Sequence, residues 1–177
     1  MSHTPSNMSA EVTQLLERRA ARLSLRPVVD EEDAAAWLAE FPLGDTRFAI
    51  PLHSLRAAVP LRWVTPVPLS PPYVIGVLRF EGQILSALSL SSLLGGRGWR
   101  QDPAVLLVVE GEDGRRVAID CEQIPRPVTV PSASVRAAQA QAHGPVSHLV
   151  TPDLRAIALL DVPWLLSPQA REAGGEH

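Results

Sequence analysis

The spacing of hydrophobic positions changes near Trp37. Before it, AEVTQLLERRAARLSL (10–25) puts Val12, Leu15, Leu16 and Leu23 on one helical face. Ser9 can cap the start, Glu11 suits the first turn, arginines crowd the end and Pro27 stops it, so a helix is predicted over 9–26. Its apolar stripe fits packing on the body or docking of a partner. PVVDEEDAAA (27–36) reads as an acidic linker that closes an extension over 1–36. From Trp37 the period is two: Trp37, Ala39, Phe41 and Leu43 alternate with Leu38, Glu40 and Pro42, and Gly44-Asp45 marks a turn. RFAIPLHSL (47–55) reads as a strand and bend, and AAVPLRWVTPVPLSPP (57–72) as an irregular edge. Tyr73 to Leu94 reads as two strands joined at Glu81-Gly82, and VLLVVEGEDGRRVAID (105–120) as a hairpin turning at Asp113-Gly114. VTVP (128–131) is a short strand and 132–144 a loop or weak helix. VSHLV, LRAIALLDV and WLL complete the pattern before a tail over 167–177.

The two halves repeat. RFAIPLHSL (47–55) aligns with RVAIDCEQI (116–124) at an offset of 69, and LSALSLSSLL (85–94) with IALLDVPWLL (157–166) at an offset of 72. Chance likeness between apolar strands is the competing reading, but two matches in one order at nearly one spacing favour a duplicated β unit. Either unit alone is too small to bury much surface, so two small β barrels packed together are expected.

Composition narrows the class. Of the 177 residues 46% are hydrophobic and 20% charged, enough apolar material for a packed domain. Seventeen prolines favour short strands and turns over long helices. A formal net charge of -3 lacks the basic footprint of a nucleic-acid binder. The single cysteine, Cys121, excludes an internal disulfide. No apolar run nears the roughly 20 residues of a membrane span, and the first residues lack the pattern of a secretory signal. A cytoplasmic protein without membrane insertion is expected.

Candidate chemistry is sparse. Cys121, His148 and Asp161 form an imaginable nucleophilic set, yet nothing in the sequence brings them together, and Cys121 sits in an apolar strand as a structural thiol does. The five histidines lack metal-ligand spacing. Gly95-Gly96-Arg97-Gly98 is not followed by the Lys-Ser/Thr of a phosphate loop. Asp120 and Glu122 share a strand face and read as a solvated edge. No catalytic residue, metal or cofactor is expected.

Four stretches carry a family likeness: FPLGDTRFAIPLHSLRAAV (41–59), VTPVPLSPPYVIGVLRFEGQILSALSLSSLLG (64–95), GRRVAIDCEQIPRPVTVP (114–131) and LRAIALLDVPWLL (154–166). Over 37–166 they resemble the CheW-like domain of bacterial chemosensory systems. The resemblance implies a mainly β fold of two packed five-stranded β barrels, with the N-terminal α-helix outside it. It also implies a non-catalytic adaptor, one that bridges the cytoplasmic tip of a methyl-accepting chemoreceptor and the regulatory domain of a CheA-type histidine kinase in membrane-associated arrays. In that family the receptor-tip helix lies in a groove between the barrels. Carried over, the groove takes Leu55, Ala58, Val59, Arg79, Glu81, Gly82 and Leu88, while kinase-binding residues stay unassigned. The alternative is an interaction platform outside an array, recruiting its partner through Val12, Leu15, Leu16 and Leu23.

The chain departs from the family's pattern in three places. The usual Asn-Leu-Arg-Gly turn is Arg79-Phe80-Glu81-Gly82, the usual Pro-Val-x-Asp is Ser86-Ala87-Leu88-Ser89, and a usual Val-Asp is Cys121-Glu122. Either a polar network bracing the turn is missing or the partner's charge differs. The second reading points to an alternative pathway rather than swimming.

Overall fold

The computed structural model describes residues 34–96, 105–142, 144–151 and 154–167. The helix expected over 9–26, with Val12, Leu15, Leu16 and Leu23, lies outside the described residues. The first half contributes β1 (Ala35–Leu43), β2 (Thr46–Pro51), β3 (Leu55–Pro60), β4 (Val74–Phe80), β5 (Gln83–Leu88) and the short helix α1 (Leu90–Leu93). The second repeats the order with β6 (Val105–Glu110), β7 (Arg116–Cys121), β8 (Arg126–Pro131), β9 (Val146–Val150) and β10 (Ala156–Leu160). It adds α2 (Ser132–Ala140) between β8 and β9, and α3 (Val162–Leu165) after β10.

The expected fold class holds: the chain is mainly β, in two five-stranded sheets. Their orders are β3-β6-β7-β5-β4 and β8-β1-β2-β10-β9. Exchanging each strand for its counterpart in the other half turns one order into the other. The correspondence extends to register, since Ala87 pairs with Ala118 where Leu159 pairs with Ala49, both across parallel neighbours. These positions differ by the offsets of 72 and 69 read from the sequence. A half does not build its own barrel, because the hairpin β6–β7 completes the sheet of β3, β4 and β5, and β1–β2 completes that of β8, β9 and β10.

Several boundaries also move. Ala35 and Ala36, read as linker, already pair with Pro131 and Val130. The irregular edge opens with a true strand, β3, paired along β6. Past it, a bridge of Thr65 to Val77 closes the first barrel, with Thr65 N donating to Val77 O at 2.7 Å and Val77 N to Thr65 O at 2.9 Å. The Ala-rich segment read as loop or weak helix forms α2, which packs against β8 and β9 and buries Ala138 in the second core. Pro42 is tolerated within β1 because β8 stops pairing at Glu40, so the missing N–H lies beyond that ladder.

Alternation within the strands sorts the interior into three cores. Val59, Leu85, Ala87, Leu106, Val108 and Ala118 fill the first barrel. Leu38, Ala49, Val130, Leu149, Ile157 and Leu159 fill the second. The opposite faces of the same strands carry Phe41, Ile50, Leu88, Leu107, Ile119 and Leu160 into a larger core between the barrels. There the Phe41 and Phe48 rings stack at 6.3 Å. Burial on both faces explains why Val105 to Val109 reads as an unbroken apolar run.

Candidate partner-binding surface

The carried-over groove residues separate by burial. Leu55 follows a 3₁₀ turn over Leu52–Ser54 and is half-buried against the central core. Ala58, on β3, is exposed. Val59 is 5% exposed inside the first barrel and Leu88 is 2% exposed between the barrels, so neither offers surface to a partner. Arg79 is exposed and stands opposite Ile84, which is 77% exposed and which the sequence reading missed. Parity along β5 carried the signal, because Leu85 and Ala87 point inward and Ile84 must point the other way.

The β4–β5 turn forms as the sequence predicts. Phe80 pairs with Gln83, and the two residues between them have positive φ, +47° at Glu81 and +80° at Gly82. This is the conformation that matches strand twist in two-residue hairpins. It is braced by a charge network. Arg116 donates to Glu81 Oε2 at 2.7 Å, and its Nε donates to Glu110, which also accepts from Arg56. The Arg116 guanidinium lies 5.9 Å from the Phe80 ring centroid. Arg56, then Arg116, holds the Glu110 carboxyl below the usual carboxylate range. Glu110, with Glu81, pushes the already high pKa of Arg116 higher. The charge of Glu81 is thus answered by an arginine on β7, and the turn is braced.

A second polar arrangement starts at Ser89. Ser89 caps α1 through its hydroxyl, which accepts from Ser92 N at 3.4 Å, and Asp120 Oδ1 accepts from Leu90 N at 2.7 Å. In the other half one residue suffices: Asp161 Oδ1 accepts from Trp164 N at 2.9 Å and caps α3. Asp120 is therefore buried, not on a solvated edge, and burial raises its carboxyl pKa. Glu122 Oε1 accepts from Gly44 N at 3.0 Å, tying β7 to the β1–β2 turn.

The imagined nucleophilic set does not assemble. Cys121 is buried in the central core, its thiol donates to Gln123 O at 2.7 Å, and burial pushes its pKa up to about 11. His148 is exposed on β9, and Asp161 is occupied as a cap. His53 lies exposed in the 3₁₀ turn rather than in a strand. Among the described residues no group of His, Cys, Asp or Glu is placed to hold a metal ion, and no helix is long and apolar enough to cross a membrane.

Fold and surface together define a two-barrel β domain with a charged hairpin and exposed apolar residues beside it. The family follows from comparison. The family model described as a CheW-like domain matches residues 38–170, and the chain belongs to that family. The chain is similar to a chemotaxis protein CheW of Helicobacter pylori, with 28% identity over 95 residues. That stretch covers 54% of this chain and 57% of the relative, so the match spans a little over half of each. It is also similar in structure to the scaffolding protein TtCheW from Thermoanaerobacter tengcongensis, with a TM-score of 0.63 over 77% of this chain and 96% of that one. At 16% identity that likeness bears on the fold alone.

Proposed function

We propose that this chain is a non-catalytic adaptor of a chemosensory assembly, joining the cytoplasmic tip of a chemoreceptor to the regulatory domain of a CheA-type histidine kinase. The observation that carries the reading is the family match over 38–170. A helical tip docks through an apolar stripe onto exposed apolar residues edged by charge. Ala58, Ile84 and the half-buried Leu55 supply the apolar part, and Arg79 and Glu81 the charges that discriminate among partners. With an acid at residue 81 the preferred tip carries a basic residue opposite it. Such a tip would belong to a receptor of an alternative, non-swimming pathway.

Calorimetric titration of the full-length protein tests this, against receptor-tip fragments and kinase regulatory domains from its own genome. Saturable binding to at least one of each is expected. Ile84→Asp, at an exposed position, is expected to weaken the receptor-tip complex about ten-fold, or about 1.4 kcal/mol, without lowering thermal stability. Glu81→Arg is expected to shift preference toward tips that carry an acid. The reading fails if the unaltered protein binds none of its cognate receptors and kinases.

A further inference from the structure

The two halves differ where β4 and β9 begin. In the first, Tyr73 precedes β4, its carbonyl accepts from Ser89 N at 2.7 Å, and its side chain is buried in the central core. Seventy-two residues on, Pro145 precedes β9 and its carbonyl accepts from Asp161 N at 2.9 Å. The backbone frame is repeated and the aromatic ring is not. Gly144 and Ser147, on either side of Pro145, line a cavity of about 550 Å³. Its wall of Leu160, Asp161, Val162 and Leu166 is the counterpart of Leu88, Ser89, Leu90 and Leu94 in the half that holds the tyrosine.

A second substitution keeps the space open. Gly111 lines the cavity at the position matching Leu43, which packs against the central core. A Cβ at residue 111 would stand 2.5 Å from Leu166 Cδ1, so a side chain there could enter the gap only by displacing Leu166. The size lies within the ~300–1,000 Å³ common for binding pockets. Its exposed lining residues include the carboxylates Glu112, Asp113 and Asp161 together with His53 and Arg115. The rim's one arginine, Arg115, is tied to Asp113 and to the Leu166 carbonyl at 3.0 Å.

We infer that this cavity receives a tyrosine side chain flanked by basic residues, presented by a partner protein. The ring fills in trans what Tyr73 fills in cis, and the flanking cations meet Glu112 and Asp161. The inference rests on neither the receptor nor the kinase assignment. Its test is amide NMR of the full-length ¹⁵N-labelled protein titrated with the peptide Ac-Arg-Tyr-Arg-NH₂. Saturable shifts are expected at Gly144, Ser147, Asp161 and Leu166. They should need about ten-fold more peptide with Ac-Glu-Tyr-Glu-NH₂ or Ac-Arg-Ala-Arg-NH₂, and vanish in Pro145→Tyr, which supplies the ring internally. Should that variant not fold, the tyrosine-against-alanine comparison on the unaltered chain decides alone. No shift at millimolar peptide overturns the inference, as does equal response to the alanine peptide. Shifts at these amides on deleting residues 168–177, with none from the peptides, would assign the cavity to the chain's own C-terminus and also overturn it.

Discussion

Adjacent residues at the end of β7 face opposite ways and carry opposite burdens. Asp120 turns toward α1 and accepts from Leu90 N, while Cys121 turns into the core between the barrels. Replacing Asp120 by Ala leaves the helix start without that acceptor and should cost about 1–3 kcal/mol in urea unfolding, whereas Asp120→Asn keeps an oxygen acceptor and should lie close to the unaltered protein. Equal losses in the two variants would count against the capping role. The Cys121 thiol gives a pH signature. Its pKa is about 11 in the fold against 9.0 for an ordinary thiol. The folded state thus holds its proton to higher pH than the unfolded state, so this stability is intact below pH 9 and is lost as pH rises toward 11. At pH 10.5 the loss is about 2 kcal/mol relative to pH 8. The chain contains no lysine, so no amine side chain titrates across this range. Denaturation at both pH values should show that increment in the unaltered protein and not in Cys121→Ala. The buried thiol was legible in the sequence from its apolar strand. The buried carboxylate was not, because alternation assigns Asp120 a face but cannot reveal that a helix start lies across from it.

The β4–β5 hairpin shows how far local pattern reaches. Its turn at Glu81-Gly82 follows from a glycine between two apolar runs, and both residues have positive φ. What the pattern could not supply is the partner of Glu81, since Arg116 lies 35 residues away and reaches the turn only because β7 is inserted beside β5. The candidate surface was therefore half legible. Arg79, Glu81 and Ala58 are exposed as a docking surface requires, but Val59 and Leu88 had been credited with a surface that three-core packing denies them. The glycines of this hairpin make a paired prediction. At Gly82 no atom lies within 4 Å of an added Cβ, so Gly82→Ala bears only the left-handed backbone, a cost of about 1 kcal/mol. At Gly76, with φ +156°, an added Cβ would stand 2.4 Å from Thr65 O and 2.6 Å from Val64 Cγ1. Gly76→Ala must push away the segment whose bridge closes the first barrel, so it should lose several times more stability than Gly82→Ala. Hydrogen exchange should also show lost protection at the Thr65 and Val77 amides. Similar losses at both glycines would mean that the bridge contributes little.

The repeat in the sequence predicted two barrels, yet a half does not make one by itself. Strand order shows why it does not: β3 neighbours β6 alone in its sheet, and the β4–β5 hairpin joins the rest only through β7. Offsets within a sequence reveal duplication, but they carry no information on which copy's hairpin completes which sheet. That choice is made by pairing across the central core, where β2 and β7 face each other's halves through Phe48, Ile50, Val117 and Ile119. The consequence is mutual dependence. The first half alone holds two hairpins and a lone β3, with the apolar faces meant for β6 and β7 exposed to water. Chain cleaved between residues 98 and 99 should therefore give two fragments with little fixed structure, which regain dispersed amide spectra only when mixed. The same dependence predicts one cooperative transition for the intact protein. Trp63 follows β3 in the first barrel, and Trp164 lies on α3 beside the central core. Variants that keep only Trp63 or only Trp164 should report the same denaturant midpoint by fluorescence, coincident with loss of far-ultraviolet circular dichroism. Separate midpoints, or a first fragment that folds unaided, would show each barrel to be self-sufficient and the exchange of hairpins to be energetically idle.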